Sequence, residues 1–179
     1  MKINQLKYSW TFWFDKPDLK ISEENWDQFL IKIECCDTVE KFWSVFNNIL
    51  LPSEFEPGVN LHFFKSKIEP KWEDVYNIKG GKWIITIPKQ VDLFINKLWE
   101  NTLVTLISGN YDDLTMENVN GIVLSVRKNI IKLSIWTKNY YNKSIQLRIG
   151  KFWKKTIKDN FFINNMTLDY FPHVSLMSN

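Results

Sequence analysis

A chain of 179 residues is long enough to bury one substantial core and short for two, so a single domain over 1–179 with its core at about 6–171 is expected. With 45% hydrophobic and 24% charged residues it is neither a disordered tail nor a collagen-like polymer. Its apolar runs stay short of the ~20 residues that cross a bilayer, and the opening MKINQLKYSWTF alternates instead of forming a signal-peptide core, so a cytosolic protein without a membrane partner is expected. The net charge of +3 hides an uneven layout: residues 1–118 carry 13 basic and 18 acidic groups and residues 119–179 carry 10 and 2, which gives either a phosphate-attracting face or an ordinary solvated one.

Leu6, Tyr8, Trp10, Phe12 and Phe14 share one parity, the period-2 signature of a strand, with Trp13 on the otherwise polar side. Phe29 to Glu34 alternates again and predicts a second strand with Phe29, Ile31 and Ile33 on one face. Asp37 or Thr38 then caps a helix whose apolar residues Val39, Phe42, Trp43, Phe46, Ile49 and Leu50 recur at helical spacing until Pro52. Residues 51–60 read as loop, Leu61 to Phe64 as a short strand, Ile68 to Gly81 as an irregular stretch and Lys82 to Ile87 as a strand. A long helix over Lys89 to Ser108 ends at Gly109. Gly121 to Arg127 and Ile131 to Trp136 are strands joined tightly through Lys128 and Asn129. Tyr140 to Thr156 reads as a basic helix, and Phe161 to Phe171 returns toward strand. Sequential strand pairs with three interposed helices of varied spacing predict an α+β domain in which a curved antiparallel sheet is backed by helices.

The chemistry of catalysis is missing from this pattern. His62 and His173 are far apart and outside any metal-ligand or nucleophile motif, so each reads as structural or exposed. Gly80-Gly81-Lys82 fails as a phosphate loop, because Tyr76 stands where the first glycine is required and Trp83 where Ser or Thr is. Cys35 and Cys36 are adjacent and without distant partners, which suits a reducing compartment and closes no zinc site. No enzyme, metal or cofactor is expected.

What remains is aromatic planes, cations and an acid. The chain has 21 lysines, two arginines and no alanine, a bias expected of a genome poor in G and C. Nine tryptophans run against that bias and imply positions that require an indole. Trp26 and Trp72 fall in irregular segments, Glu73 and Asp74 follow Trp72, and Arg127 and Lys132 flank a turn near Trp136. Indoles stack bases, a carboxylate accepts from a base edge, and cations neutralise phosphate, so a nucleotide would use all three; core packing is the plainer reading of any one tryptophan.

Pro70-Lys71-Trp72-Glu73-Asp74, Gly80-Gly81-Lys82-Trp83, Trp10-Thr11-Phe12-Trp13-Phe14, Asp37-Thr38-Val39-Glu40-Lys41-Phe42-Trp43, Ile135-Trp136-Thr137 and Ile149-Gly150-Lys151 together resemble the eukaryotic translation initiation factor 4E family over nearly the whole chain. The resemblance implies about eight curved antiparallel strands, three helices on the convex face and a slot for the mRNA cap on the concave one. It implies that Trp26 and Trp72 sandwich 7-methylguanine, that Glu73 accepts its N1 and N2 hydrogens, that Trp136 contacts the methyl group, and that Arg127, Lys132 and Lys82 hold phosphates. It implies a convex site at Val39 and Trp43 for a Tyr-x-x-x-x-Leu-hydrophobic helix of a scaffold initiation factor or a competing repressor. The implied protein is a monomer whose partners are capped mRNA, with its 7-methylguanosine triphosphate, and that scaffold. Glu100-Asn101 departs from the family's Leu-Glu, which puts Asn101 where an acid meets the partner, and Asn4-Gln5 replaces His-Pro. Two rivals stand beside this reading: a cap-binding repressor of the same fold, and a general single-stranded RNA-binding module without methyl preference.

Overall fold

A computed structural model of the protein describes residues 3–16, 29–88, 92–161 and 167–173. Seven strands among them form one curved antiparallel sheet: β1 (Gln5–Asp15), β2 (Ile31–Thr38), β3 (Asn60–Lys65), β4 (Gly81–Pro88), β5 (Val119–Val126), β6 (Ile130–Thr137) and β7 (Asp169–Pro172), in the spatial order β2-β1-β3-β5-β6-β4-β7. Four helices accompany them: α1 (Val39–Phe46), α2 (Asp92–Ile107), α3 (Asp113–Glu117) and α4 (Lys143–Asn160). The helix that the sequence reading lacks is α3, five residues long and capped by the Asp112 carboxylate, which accepts from Thr115 N–H at 3.0 Å.

The strand alternation divides the sheet into an apolar and a polar side. Trp10, Phe12, Leu61, Phe63, Ile122, Leu124, Leu133, Ile135 and Ile85 are all buried in the core, at roughly 1.5–3 kcal/mol for each large side chain withdrawn from water. Against them lie Phe42 and Phe46 of α1, Ile95, Leu98, Trp99 and Leu103 of α2, and Ile145, Ile149, Trp153 and Ile157 of α4, which recur every four residues. Trp153 donates from Nε1 to Thr102 Oγ1 at 3.3 Å, and Trp83 donates to the Gln146 carbonyl at 3.0 Å, fixing α4 to α2 and to the sheet.

Two expectations are corrected. The second strand begins at Ile31 and runs on to Thr38, because its pairing with β1 continues to Gln5↔Thr38; Thr38 then caps α1, accepting from Lys41 N–H at 3.1 Å. Ile31 and Ile33, on the apolar face of that alternation, are 56% and 38% exposed, since β2 is the sheet edge. Helix α1 stops at Phe46 instead of Leu50, where the Asn48 side chain takes the Ser44 carbonyl at 2.8 Å.

Candidate nucleotide-binding slot

The side of the sheet facing away from the apolar core carries three cross-strand rows, each two residues, or roughly 7 Å, from the next. The first runs Asp15, Asn60, Ser125, Lys132, Thr86 and the second Trp13, His62, Val123, Ser134, Ile84. The third runs Thr11, Phe64, Gly121, Trp136, Lys82. Polarity thus grades from an aromatic row to a charged one, and Arg127 extends the charged end. A cavity of about 220 Å³ spans the gradient, lined by Trp72, Trp136, Lys82 and His173 toward one end and Asp15, Asn60, His62 and Arg127 toward the other.

Trp136 is half-buried, set edge-on against Phe64 with centroids 5.5 Å apart, and Lys82 Nζ lies 5.8 Å from its ring centre. Gly121 makes this row possible: a Cβ there would come within 2.3 Å of the Phe64 ring. Burial first, and then the charge of Lys132, hold the Lys82 ammonium below its ordinary pKa. By register Lys82 stands in the aromatic row, two rows from that of Lys132.

Trp72 comes from the connection between β3 and β4, an irregular stretch held by one buried side chain. Asn77 donates to the carbonyls of Glu69 and Lys71, both at 2.8 Å, and accepts from Asn120 Nδ2 at 2.9 Å. Asp74 accepts from the N–H groups of Glu69 and Tyr76. At the far end of the loop Gly80 is required by close approach, since a Cβ would meet the Thr137 carbonyl oxygen at 1.9 Å. This arrangement leaves the Trp72 indole half-buried at the cavity and outside both apolar clusters.

Arg127 reaches back over the end of β3, donating to the Val126 carbonyl at 2.8 Å and to Asn60 Oδ1 at 2.9 Å. Its backbone N–H bonds to the Ile130 carbonyl at 2.9 Å, closing the two-residue turn through Lys128 and Asn129.

Of the predicted slot residues, Trp72, Trp136, Lys82 and Arg127 line one cavity. Lys132 shares its face but lies outside the lining, as does the exposed Glu73 beside Trp72. Trp26 lies outside the described residues. On the helical side, Val39 and Trp43 of α1 and Asn101 of α2 are half-buried. Trp43 packs edge-on against Phe42 and Phe46, and Asn101 Oδ1 is buried without a hydrogen-bond partner among the described residues. Glu100 pairs with Lys97 at 3.1 Å on its own helix, and Asn4 bonds Glu40 at the start of α1.

Of the two alternatives for the histidines, structural or exposed, burial decides against exposure, and both also line the cavity. His173 is 1% exposed, its ring 4.4 Å from that of Trp136, and neither ring nitrogen has a hydrogen-bond partner among the described residues. Burial, reinforced by the Lys82 charge, pushes its pKa from 6.5 down to about 4. The unfolded chain therefore binds the extra proton between those values, so this contribution to stability is complete above about pH 6.5 and is lost as pH falls toward 4. Urea unfolding should show about 2 kcal/mol less stability at pH 5 than at pH 7 from this group. That part of the slope should vanish in His173→Phe, and an unchanged slope would contradict the assignment.

An open antiparallel sheet with helices on one side, and with aromatic planes and cations gathered in a cavity on the other, defines a binding protein for a flat, anionic ligand. Among the described residues no cluster of three His, Cys, Asp or Glu is placed to hold a metal ion, and no helix is long and apolar enough to cross a membrane. The model of the eukaryotic initiation factor 4E family matches residues 5–179, and the chain belongs to that family. It is 43% identical over 158 residues to eukaryotic translation initiation factor 4E-1 of Prunus domestica, a match covering 87% of this chain and 66% of that one, so the chain spans just under two thirds of that relative's length. Its fold superimposes on Ascaris suum eIF4E-3, solved with an m2,2,7G cap, with a TM-score of 0.88 at 30% identity, covering 96% of this chain and 92% of that one. It also superimposes on a schistosome eIF4E complexed with m7GpppA and 4E-BP, with a TM-score of 0.86 at 30% identity and coverage of 100% and 93%.

Proposed function

We propose that this chain binds the 7-methylguanosine 5′ cap of mRNA by reversible recognition, without chemistry, and recruits a scaffold factor to begin translation in the cytoplasm, acting as a monomer. The observation that carries the reading is the single cavity joining Trp72 and Trp136 to Arg127 across the polarity gradient of the sheet. The cap complexes of the Ascaris and schistosome relatives support it. Methylation at N7 makes guanine cationic, so an indole face gains a cation–π contribution of roughly 0.5–2 kcal/mol that plain guanine lacks. Trp26 and Trp72 would supply the two faces, Glu73 the acceptor for the base edge, and Trp136 the contact to the methyl group. Arg127, Lys132 and Lys82 would meet the phosphates.

The test is a tryptophan-fluorescence titration with 7-methyl-GTP beside GTP. Strong methyl-dependent quenching is expected, and equal weak quenching by both would favour the general RNA-binding alternative. Arg127→Leu should weaken binding of 7-methyl-GTP and flatten its salt dependence, whereas an unaltered salt slope would remove Arg127 from the phosphate site.

Val39, Trp43 and Asn101 would receive a Tyr-x-x-x-x-Leu-hydrophobic helix. One observation keeps a repressor that occupies caps without the scaffold as a second reading: Glu100 of α2 is engaged by Lys97, and the next position is Asn101. Capture of the chain by an immobilised peptide of that motif would exclude it.

A further inference from the structure

Behind Arg127 lies a buried chain of polar groups that nothing in the cap reading uses. Arg127 Nη2 donates to Asn60 Oδ1 at 2.9 Å, Asn60 Nδ2 donates to Asp15 Oδ1 at 2.7 Å, and Asp15 Oδ2 bonds His62 Nε2. Asp15 is wholly buried, and Asn60 and His62 are 8% and 4% exposed. All three line the cavity.

The order of donors and acceptors along this chain has a direction. An amide can present either its oxygen or its NH2 to a neighbour, and the two orientations are nearly equal in shape. An ionised carboxylate only accepts, so Asp15 forces the Asn60 NH2 toward itself and the Asn60 oxygen toward Arg127. Without that constraint only Arg127 itself selects the amide orientation, and an amide turned over would point its own donors at a guanidinium that has only donors and push Arg127 off its seat. His62 closes the other end of the carboxylate, so that a buried charge is not left with open acceptor sites.

Resting on the cap reading above, the geometry points to Asp15 and Asn60 as positioning residues that orient Arg127 for the ligand's phosphates, with His62 holding Asp15 in place. They contribute to phosphate affinity through Arg127 and not to recognition of the base.

The experiment compares 7-methylguanosine, which has no phosphate, with 7-methyl-GTP by fluorescence titration, in the unmodified protein, in Asp15→Asn, and in Asp15→Asn combined with Asn60→Asp. The unmodified protein should bind the triphosphate much more tightly than the nucleoside. In Asp15→Asn that advantage should shrink by roughly tenfold, as for loss of one well-placed bond to a charged group, with nucleoside affinity within about twofold of the original. The double substitution restores the one-way order, because the new carboxylate faces Arg127 and the new amide donates to it; the triphosphate advantage should return. Nucleoside binding itself reports that each variant is folded. Equal loss of nucleoside and triphosphate affinity in Asp15→Asn, no loss of either, or failure of the double substitution to recover would each overturn the proposal while leaving cap binding intact. Absence of a triphosphate advantage in the unmodified protein would instead overturn the phosphate role of Arg127, and the positioning role with it.

Discussion

Trp72→Ala should cost about 2–4 kcal/mol of binding free energy toward 7-methyl-GTP, a fall of roughly 30- to 1000-fold in affinity, with a melting temperature within roughly 2 °C of the parent. The first figure combines base stacking, about 1–3 kcal/mol, with the cation–π contribution of a methylated base. The second follows from placement. The Trp72 indole belongs to neither apolar cluster, and the loop that carries it is held by backbone carbonyls and the Asn77 side chain, not by the indole. Affinity for plain GTP should fall less, because the cation–π part is absent there. Titration of the variant against both nucleotides, with a thermal melt beside it, checks each number. An affinity for 7-methyl-GTP within threefold of the parent would take Trp72 out of the slot.

The elements were legible wherever one periodicity ruled a segment. The alternation from Leu6 to Phe14 locates β1, and the four-residue recurrence of Ile145, Ile149, Trp153 and Ile157 suits α4. Periodicity failed at β2, because an edge strand has no obligation to bury the face that alternation marks, and Ile31 and Ile33 stay in contact with solvent. In the slot, Trp72, Trp136 and Arg127 stood out by residue type. Asp15, Asn60 and His62 did not, since a polar residue at an alternate strand position ordinarily faces water. What makes them a site is register: Asp15 pairs with Asn60 and Trp13 with His62, and these partners are 45 and 49 residues apart in the chain. The parity of Trp13 and Asp15, opposite to that of Trp10 and Phe12, was the available signal, and it becomes informative only once β3 is known to lie beside β1.

Asn77 was equally silent in the sequence, one polar residue in an irregular stretch, yet its loss should be among the most damaging changes in the molecule. It is fully buried and makes three hydrogen bonds, two to carbonyls of its own loop and one from Asn120 on β5. Asn77→Leu keeps much of the volume and removes every one of them, leaving two carbonyls to find other partners or remain unpaired and the Asn120 amide with only its bond to the Tyr76 carbonyl. With each bond worth about 1 kcal/mol net, and more where a buried partner is orphaned, the expected loss is about 3 kcal/mol of stability. For a chain of this size that lowers the melting temperature by roughly 6–12 °C. The same change should weaken binding of 7-methyl-GTP, because the bonded carbonyls of Glu69 and Lys71 flank Pro70 and precede Trp72, and a loosened loop must be ordered again as the nucleotide arrives. Asn120→Leu removes the two bonds across to the sheet, to Asn77 Oδ1 and to the Tyr76 carbonyl, while sparing those to the Glu69 and Lys71 carbonyls beside Trp72, so it should lose less affinity than Asn77→Leu. Thermal unfolding and fluorescence titration of the two variants separate the contributions. If Asn77→Leu melts within 2 °C of the parent, Asn77 does not hold the loop; if it melts early but binds with full affinity, the loop's order does not set the position of Trp72.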